Sequence, residues 1–208
     1  MQGDELKRWR SAERARLVAA RRALDRATLE SWRHRIDAHL TEGFAGLSRG
    51  VLGFCWPIRN EYDARHVAKT LRERGALTAL PVVVAPRTPL VFREWAPGIA
   101  LARGPLDIAY PVSSREVVPD HVLLPMNGWD GMGYRLGYGA GYIDRTLAAM
   151  PTKPQAIGVT YEMARIATIH PQSWDIPVDW VVTERGTYRR DAARLVGPAS
   201  AASAFVPA

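Results

Sequence analysis

The first forty residues of the chain show apolar side chains at helical spacing. Between residues 17 and 27 an apolar residue recurs every three or four positions, among Ala, Arg, Leu and Glu, and no Pro interrupts the stretch. This pattern predicts a helical region over residues 4–42. Asp25 and Thr28 are both candidate N-caps, so we expect the region to be broken once near them.

Short runs of consecutive apolar residues follow and alternate with segments of helical composition. The apolar runs predict buried strands at 51–56, 77–85, 121–124, 155–160 and 180–183, with an edge strand at 90–95. The other segments predict helices at 63–74 and 142–150, and loops rich in Gly or Pro at 96–119 and 125–141. Alternating helices and apolar strands indicate an α/β domain with a largely parallel central sheet.

Length and composition agree with one domain. The chain has 208 residues, of which 47% are hydrophobic, so it can bury one sizeable core. We expect this domain to span residues 1–195, with the basic helical region at its N-terminus. Residues 196–208 are rich in Ala, Ser and Pro, and we expect them to form a disordered tail.

Composition also excludes several classes of protein. Cys55 is the only cysteine, which excludes a disulfide scaffold. No apolar run reaches the roughly 18 residues of a membrane span, and the N-terminus lacks the apolar segment of a secretory signal. We therefore expect a cytoplasmic protein without a membrane partner.

The positive charge is concentrated at the N-terminus. The net charge is +7, and residues 1–35 contain ten Lys and Arg residues against five acidic residues, which leaves +5 in this segment. Three interpretations are open: a solvated helix face, a surface for a small anionic ligand such as a nucleotide or a polycarboxylate, and a nucleic-acid patch. Only Trp9 and Trp32 are available there for base stacking, which disfavours the third interpretation.

A glycine-rich segment at residues 125–144 contains the candidate chemistry. Its glycines allow positive φ, and successive free N–H groups at the start of a helix can bind an anion. Arg135 can bind phosphate through two parallel hydrogen bonds, and Asp144 can hold Mg²⁺ beside a phosphate. The spacing matches neither the dinucleotide fingerprint nor the P-loop. A flexible turn with Asp144 as an ordinary first-turn acid is therefore the alternative.

This segment resembles the signature of the 5-formyltetrahydrofolate cyclo-ligase family, whose members are also called 5,10-methenyltetrahydrofolate synthetases. The matching pattern is Pro125-x-x-x-Trp129-Asp130-x-x-Gly133-x-Arg135-Leu136-Gly137-Tyr138-Gly139-x-Gly141-Tyr142-x-Asp144-Arg145. Further matches are Trp56-Pro57-x-x-x-Glu61-x-Asp63 upstream and Trp174-Asp175-Ile176-Pro177-Val178-Asp179 downstream. The resemblance covers residues 12–190.

The resemblance implies a three-layer α/β/α fold and an ATP- and Mg²⁺-dependent reaction. In the family, ATP phosphorylates the formyl oxygen of 5-formyltetrahydrofolate. N10 then attacks the activated carbon, and phosphate leaves to give 5,10-methenyltetrahydrofolate and ADP. The implied partners are therefore ATP and a reduced folate, possibly polyglutamylated, bound by a monomer or weak dimer with no nucleic-acid partner.

The resemblance also implies roles for individual residues. The catalytic residues would be Arg135, Glu61 and Tyr142. The ATP site would comprise Arg16, Arg135, Gly137, Tyr138, Gly139, Ala140, Gly141 and Tyr142. The folate site would comprise Glu61, Trp56, Tyr138 and Tyr142, and the Mg²⁺ ligands would be Asp144 and Asp175.

Several positions depart from the family pattern, and three of them bear on a second hypothesis. With Ala15-Arg16 in the place of the family's Leu-Arg pair, the family's N-terminal lysine falls on Ala12. The second Tyr of Gly-Tyr-Tyr-Asp is Ile143, and a common Gln falls on Ala164. These departures keep a second hypothesis open: a paralogue of the same fold that binds nucleotide or folate without this turnover, or that acts on a related substrate.

Overall fold

Four α-helices and thirteen strands form the part of the chain that the computed structural model describes, which is residue 1 and residues 3–199. The helices are α1 (Gly3–Arg22), α2 (Arg26–Gly43), α3 (Ala64–Glu73) and α4 (Tyr142–Ala149). The strands are β1 (Val51–Phe54), β2 (Leu77–Val82), β3 (Val91–Trp95), β4 (Leu101–Arg103), β5 (Ala109–Pro111), β6 (Glu116–Val117), β7 (His121–Pro125), β8 (Gly128–Trp129), β9 (Arg135–Leu136), β10 (Gln155–Val159), β11 (Trp180–Thr183), β12 (Gly186–Asp191) and β13 (Arg194–Ala199).

Nine of these strands form one sheet in the order β13-β12-β11-β10-β7-β1-β2-β3-β6. The five central strands, from β11 to β2, are parallel to one another. The two strands on either side of them pair antiparallel. The expected α/β class with a parallel central sheet is therefore confirmed, and antiparallel strands complete both edges.

Alternating side chains along the central strands divide the core into two layers. In β7, Leu123 joins one buried cluster, together with buried residues of α2 and α3. Its neighbours Val122 and Leu124 join a second cluster that includes Leu147 of α4. Because successive strand residues point to opposite faces of a sheet, α2 and α3 cover one face and α4 covers the other. This arrangement is the expected three-layer α/β/α sandwich.

The N-terminal helical region breaks where the capping residues predicted it. Asp25 is the N-cap of α2, and its side chain accepts a hydrogen bond of 2.8 Å from the backbone N–H of Thr28. Leu17 of α1 packs separately, against Leu136 and Ile169. Helix α1 therefore docks on the segment that contains the candidate chemistry rather than on the main core.

Two predicted loops contain short strands. The segment 96–119 contains the β4–β5 hairpin and β6, and the segment 125–141 contains the β8–β9 pair. These strands have only two or three residues, too few to show the alternation by which strands are recognised. Backbone pairing rather than a side-chain pattern defines them.

The C-terminal prediction was wrong over residues 196–199. These residues belong to β13, which pairs antiparallel with β12 at the edge of the sheet. An antiparallel edge strand is held by main-chain hydrogen bonds, so a composition of small residues does not prevent pairing. The rest of the predicted tail, residues 200–208, lies outside the described residues.

In the described residues no helix is both long enough and apolar enough to cross a membrane.

Gly53 in the middle of β1 provides a test of how tightly this core is packed. A Cβ atom at this position would lie 2.7 Å from Cε1 of Phe92 and 3.2 Å from Cγ1 of Val122. We expect Gly53→Ala to lower the free energy of unfolding by about 1–3 kcal/mol, because a close-packed core must distort to accept the methyl group. Urea unfolding measures this. Gly131→Ala is the control, since no atom lies within 4 Å of its added Cβ, and equal midpoints for the two variants would contradict the packing argument.

Candidate active site

The candidate site lies at the carboxyl edge of the parallel strands, where ligands bind in open α/β sheets. The loop after β1 provides Glu61, and the segment after β7 leads through β8 and β9 to the glycine-rich loop and α4. Tyr138 of this loop and Glu61 are joined by a hydrogen bond. The site is therefore formed by loops from neighbouring strands and by helix α1, which lies over them.

The glycine-rich loop has the backbone expected of an anion cradle at two of its three glycines. Gly139 has φ +94° and Gly141 has φ +66° as the N-cap of α4. Gly137 has no positive φ, and a Cβ there would enter open space. Arg14 of α1 donates a hydrogen bond of 2.6 Å from Nε to the carbonyl oxygen of Gly137. A cation thus lies directly against a loop that leads into a helix N-terminus, a combination that favours a bound anion.

Arg135 in β9 is a buried partner of Asp144 rather than an exposed phosphate ligand. Its Nη2 donates to Oδ1 of Asp144 at 2.8 Å, and its Nη1 donates to the carbonyl oxygen of Ile176. Burial lowers the pKa of the Arg135 guanidinium below its usual value, and the Asp144 carboxylate opposes that shift. The ion pair therefore holds Asp144 in place in the first turn of α4.

Asp175, the second candidate carboxylate, is held by Arg10 of α1. Its Oδ2 accepts hydrogen bonds from Nη2 of Arg10 at 2.6 Å and from the backbone N–H of Gln172 at 2.7 Å. Arg10 also donates to the carbonyl oxygens of Ile169 and His170, at 3.1 and 2.9 Å. One arginine of α1 therefore fixes the loop that precedes β11.

The two carboxylates fit a magnesium site of the kind that phosphate substrates complete. The backbone N–H of Ile176, the residue after Asp175, donates to Oδ1 of Asp144 at 3.1 Å, which brings the two acidic residues together. In the described residues Oδ2 of Asp144 accepts no hydrogen bond, and no group of three or more metal-binding side chains occurs. Mg²⁺ beside nucleotide phosphates needs only one or two carboxylates. Asp144 fits this requirement with its Oδ2, which is free in the described residues, whereas Asp175 is paired with Arg10.

Glu61 lies in a second, more deeply buried polar cluster. Its Oε1 accepts a hydrogen bond of 2.9 Å from the Tyr138 hydroxyl, and its Oε2 accepts one of 3.0 Å from the backbone N–H of Ile58. Arg21 of α1 places Nη2 3.7 Å from the same carboxylate. Burial raises the pKa of Glu61, while the Ile58 N–H and the Arg21 charge act against the rise. Burial, together with the Glu61 charge, raises the pKa of Tyr138 to about 12.

Sequence reasoning missed Arg21 and Asn127 in this cluster. Arg21 donates from Nη1 to Oδ1 of Asn127 at 3.0 Å. Neither residue belongs to a recognised motif. One signal was available: Arg21 follows Leu17 by four residues, so the apolar stripe of α1 contains a charge that must face inward.

Arg16 lies on a different face of α1 from the one expected. It is exposed and forms an ion pair with Glu13, with a hydrogen bond of 3.0 Å from Nε. Arg10 and Arg14 face the glycine-rich loop and Asp175 instead, and Ala12 is exposed. In the described residues, two other cations, Arg10 and Arg14, four residues apart on the inner face of α1, therefore lie where Arg16 was expected.

The aromatic candidates have different surroundings. Trp56 packs at the edge of the core, with its ring edge-on to Trp95 at 6.2 Å and under the Arg65 guanidinium at 4.8 Å. Tyr142 is the first residue of α4 and lies under the Arg145 guanidinium at 5.4 Å. In the described residues the hydrogen bonds to the Glu61 carboxylate come from Tyr138 and Ile58, and neither Trp56 nor Tyr142 donates one.

Two of the three residues that depart from the family pattern belong to the core. Ile143 packs against the cluster beneath α4, and Ala164 is buried in the same cluster. Trp129 of the signature is fully buried there as well. These side chains contribute to the core, so their identities say little about which ligand the site accepts.

The chain is similar to proteins of one family. The family model described as the 5-formyltetrahydrofolate cyclo-ligase family matches residues 6–184. A 5-formyltetrahydrofolate cyclo-ligase of Escherichia coli (strain K12) is 31% identical over 130 residues, which are 59% of this chain and 71% of the relative. A protein of the same name from Mycolicibacterium smegmatis is 28% identical over 186 residues, 86% of this chain and 95% of the relative.

Solved structures of similar proteins have the same fold. The NMR structure of an Aquifex aeolicus 5,10-methenyltetrahydrofolate synthetase superposes with a TM-score of 0.75 at 26% identity, covering 90% of this chain and 96% of that one. A 5,10-methenyltetrahydrofolate synthetase from Mycoplasma pneumoniae gives a TM-score of 0.69 at 20% identity, covering 84% and 98%.

Arg14 and Arg16 lie on different faces of α1, so we expect only Arg14 to contribute to anion binding. Tripolyphosphate should raise the melting temperature of the protein, because a ligand that binds only the folded state stabilises it. We expect Arg14→Met to remove most of this shift and the matched variant Arg16→Met to keep it. Of these two arginines, Arg14 contacts the glycine-rich loop and Arg16 pairs with Glu13. Thermal melts with and without tripolyphosphate measure both. Equal losses in the two variants would contradict the assignment of the anion site.

Proposed function

The chain belongs to the 5-formyltetrahydrofolate cyclo-ligase family, and we propose that it converts 5-formyltetrahydrofolate to 5,10-methenyltetrahydrofolate with consumption of ATP and Mg²⁺. One observation above all supports the proposal. A glycine-rich anion cradle with Arg14, a pair of carboxylates, and a buried glutamate lie together at one edge of the sheet. Each of these three parts corresponds to a separate need of the reaction.

The reaction consists of a phosphoryl transfer followed by ring closure. The formyl oxygen attacks the γ-phosphorus of ATP, a P–O bond forms, and the bond to ADP breaks. The formyl carbon then carries positive charge shared with N5, and N10 attacks it to form the second C–N bond. N10 loses its proton, and the C–O bond breaks with its electrons leaving on phosphate, so that the product is the methenyl cation, ADP and phosphate.

The nucleotide side of the site would use positioning and charge. Phosphoryl transfer depends mainly on aligning the reacting oxygens and neutralising their charge. The cradle at Gly139 and Gly141 and the guanidinium of Arg14 would hold the phosphates. Asp144, with Asp175, would hold Mg²⁺, which supplies charge neutralisation on the phosphate oxygens when bound. Arg135 would act through Asp144, by keeping its carboxylate oriented.

The folate side would use Glu61. Its anionic carboxylate, buried and oriented by hydrogen bonds, would stabilise the positive charge that develops on N5 and the formyl carbon. Fixed charges of this kind act most strongly where water is excluded. Tyr138 covers Glu61 in the structure, so the incoming substrate would take the place of this hydroxyl or bind against it.

The alternative of a paralogue without turnover loses its original support. It relied on Ala12, Ile143 and Ala164, and of these Ala12 is exposed while the other two belong to the core. The positive charge that Ala12 lacks is present at Arg10 and Arg14.

A direct assay tests the proposed function. With ATP, Mg²⁺ and 5-formyltetrahydrofolate, we expect the protein to produce the absorbance of the methenyl product, and to produce none when ATP is omitted. The absence of product at micromolar enzyme across neutral pH would exclude this activity. Tight folate binding without ATP hydrolysis, measured by calorimetry, would then favour the paralogue.

Asp144 offers a sharper test of the nucleotide side. We expect Asp144→Ala to lower kcat by a factor of about 100 or more, because it removes a metal carboxylate from a phosphoryl-transfer site. The matched control is Asp107→Ala, at an exposed residue paired with Arg103. Circular dichroism melts verify that both variants are folded. Unchanged turnover in folded Asp144→Ala would remove this residue from the metal site.

A further inference from the structure

Arg21 has a buried guanidinium at the folate side of the site. Only 6% of its side chain is exposed, and it lies one turn beyond Leu17 on the inner face of α1. We propose that Arg21 is a positioning residue for folate binding: it fixes the Glu61 carboxylate and the Tyr138 hydroxyl in one arrangement and keeps Glu61 anionic. This inference rests on the proposed function.

The contacts of Arg21 use all three of its nitrogens. Nε donates to the carbonyl oxygen of Arg59 at 2.9 Å, Nη1 donates to Oδ1 of Asn127 at 3.0 Å, and Nη2 donates to the Tyr138 hydroxyl at 3.1 Å. These partners come from the loop after β1, the connection between β7 and β8, and the glycine-rich loop. One planar fork therefore sets the relative positions of three segments that meet at Glu61, which a flexible ammonium group could not do.

Tyr138 transmits the position of Arg21 to Glu61. The hydroxyl accepts from Arg21 and donates its own proton to Oε1 of Glu61 at 2.9 Å. Since a hydroxyl has a single proton, the bond from Arg21 fixes the direction in which Tyr138 donates. The Arg59 guanidinium lies over the Tyr138 ring, 5.3 Å from its centre, and packs against the ring face.

Asn127 indicates that this arrangement is specific to the guanidinium. Its carboxamide is buried, and it directs its oxygen to Arg21 while Nδ2 has no hydrogen-bond partner in the described residues. A buried donor without a partner is unfavourable. An aliphatic side chain would avoid that cost, so the contact with Arg21 explains why a polar residue occupies this position.

The charges around Glu61 make Arg21 its principal counter-ion. The titratable or charged groups that face Glu61 are Arg21 of α1, Arg59 of its own loop, Cys55 after β1, Tyr138 of the glycine-rich loop and Tyr161 after β10. The two cations among them differ in exposure, because Arg59 is exposed and Arg21 is buried. Water and salt screen a buried charge much less. Removing Arg21 therefore raises the pKa of Glu61 further above its usual value.

The test compares Arg21→Met, Arg21→Lys and the control Arg22→Met, which changes the adjacent, exposed arginine. The measurement is kcat and KM for 5-formyltetrahydrofolate and for ATP as a function of pH. In Arg21→Met we expect kcat/KM for the folate to fall about tenfold or more at acidic pH, with a smaller loss at alkaline pH. The acid limb of the profile, which is the fall of kcat/KM at low pH, moves to higher pH. The reason is that Glu61 must be ionised and its pKa has risen. KM for ATP should stay within twofold.

Two further variants, Arg21→Lys and Asn127→Leu, separate the effect of the Arg21 charge from the effect of its hydrogen-bond geometry. Arg21→Lys keeps the cation and should restore the wild-type acid limb, with KM for the folate still raised because the fork is lost. Asn127→Leu leaves the charge of Arg21 in place and should raise KM for the folate without moving the acid limb. If Arg21→Met does not fold, these two variants still test the proposal. A purely structural role predicts equal losses for both substrates in every variant and no change in the pH profile.

A measurement that needs no turnover distinguishes this proposal from the proposed function. The carboxyl carbon of Glu61 is followed by NMR through a pH titration of ¹³C-glutamate-labelled protein, with Glu61→Gln to assign the signal. We expect Glu61 to titrate at higher pH in Arg21→Met than in the wild type and in Arg22→Met. An unchanged titration overturns the role of Arg21 whatever the activity is. If the titration shifts but the protein makes no methenyl product, the role of Arg21 in holding Glu61 is supported and only the proposed function is refuted.

Discussion

The structure depends on helix α1 being held over the carboxyl edge of the sheet. Within the described residues, neither of the two large core clusters includes α1, whose apolar contacts are a small cluster around Leu17 and the packing of Trp9 on the His170 ring. Arginines do the rest. Arg10, Arg14 and Arg21 lie on one face, four and seven residues apart. Arg10 donates to Asp175, while Arg14 and Arg21 donate to the adjacent residues Gly137 and Tyr138 of the glycine-rich loop. Helical periodicity places these guanidinium groups in a row along the edge of the sheet.

This docking explains why the site has two buried polar clusters instead of one open cleft. Each inward arginine needs acceptors, since a buried guanidinium without them is costly. Asp175 and the Glu61–Tyr138 pair supply those acceptors, and both are also the groups that the proposed chemistry uses. The stability of α1 and the geometry of the site are therefore coupled. A change that frees α1 from the edge would disturb the nucleotide and folate sides together, whereas a change at Arg21 alone acts on the folate side.

The fold was predictable because its central strands are apolar on both faces, a pattern that only a covered parallel sheet requires. Asp175 and Glu61 were proposed as site residues only through the resemblance to a family signature, whereas Asp144 was also indicated by its position after the glycine-rich loop. The resemblance assigned Arg16 to the ATP site, but Arg14 is the arginine that contacts the glycine-rich loop, and a run with arginines at positions 8, 10, 14 and 16 offers several alignments. Which arginines face the site is decided by their burial, and this burial depends on how α1 packs against the rest of the chain. Arg21 and Asn127 were missed for the same reason: their contact joins residues 106 positions apart.

The N-terminal charge now has a more specific interpretation than an excess of +5 suggests. Within the described residues, six of the ten basic side chains in residues 1–35 have polar or ionic partners, namely Lys7, Arg10, Arg14, Arg16, Arg21 and Arg33. Binding to a nucleic-acid backbone requires several cations free to neutralise phosphates, and most of these are already engaged within the chain. A small anion makes a lesser demand, because a single cradle with one adjacent arginine is enough. The arrangement at Arg14 and the glycine-rich loop therefore favours the small-ligand interpretation over the nucleic-acid one.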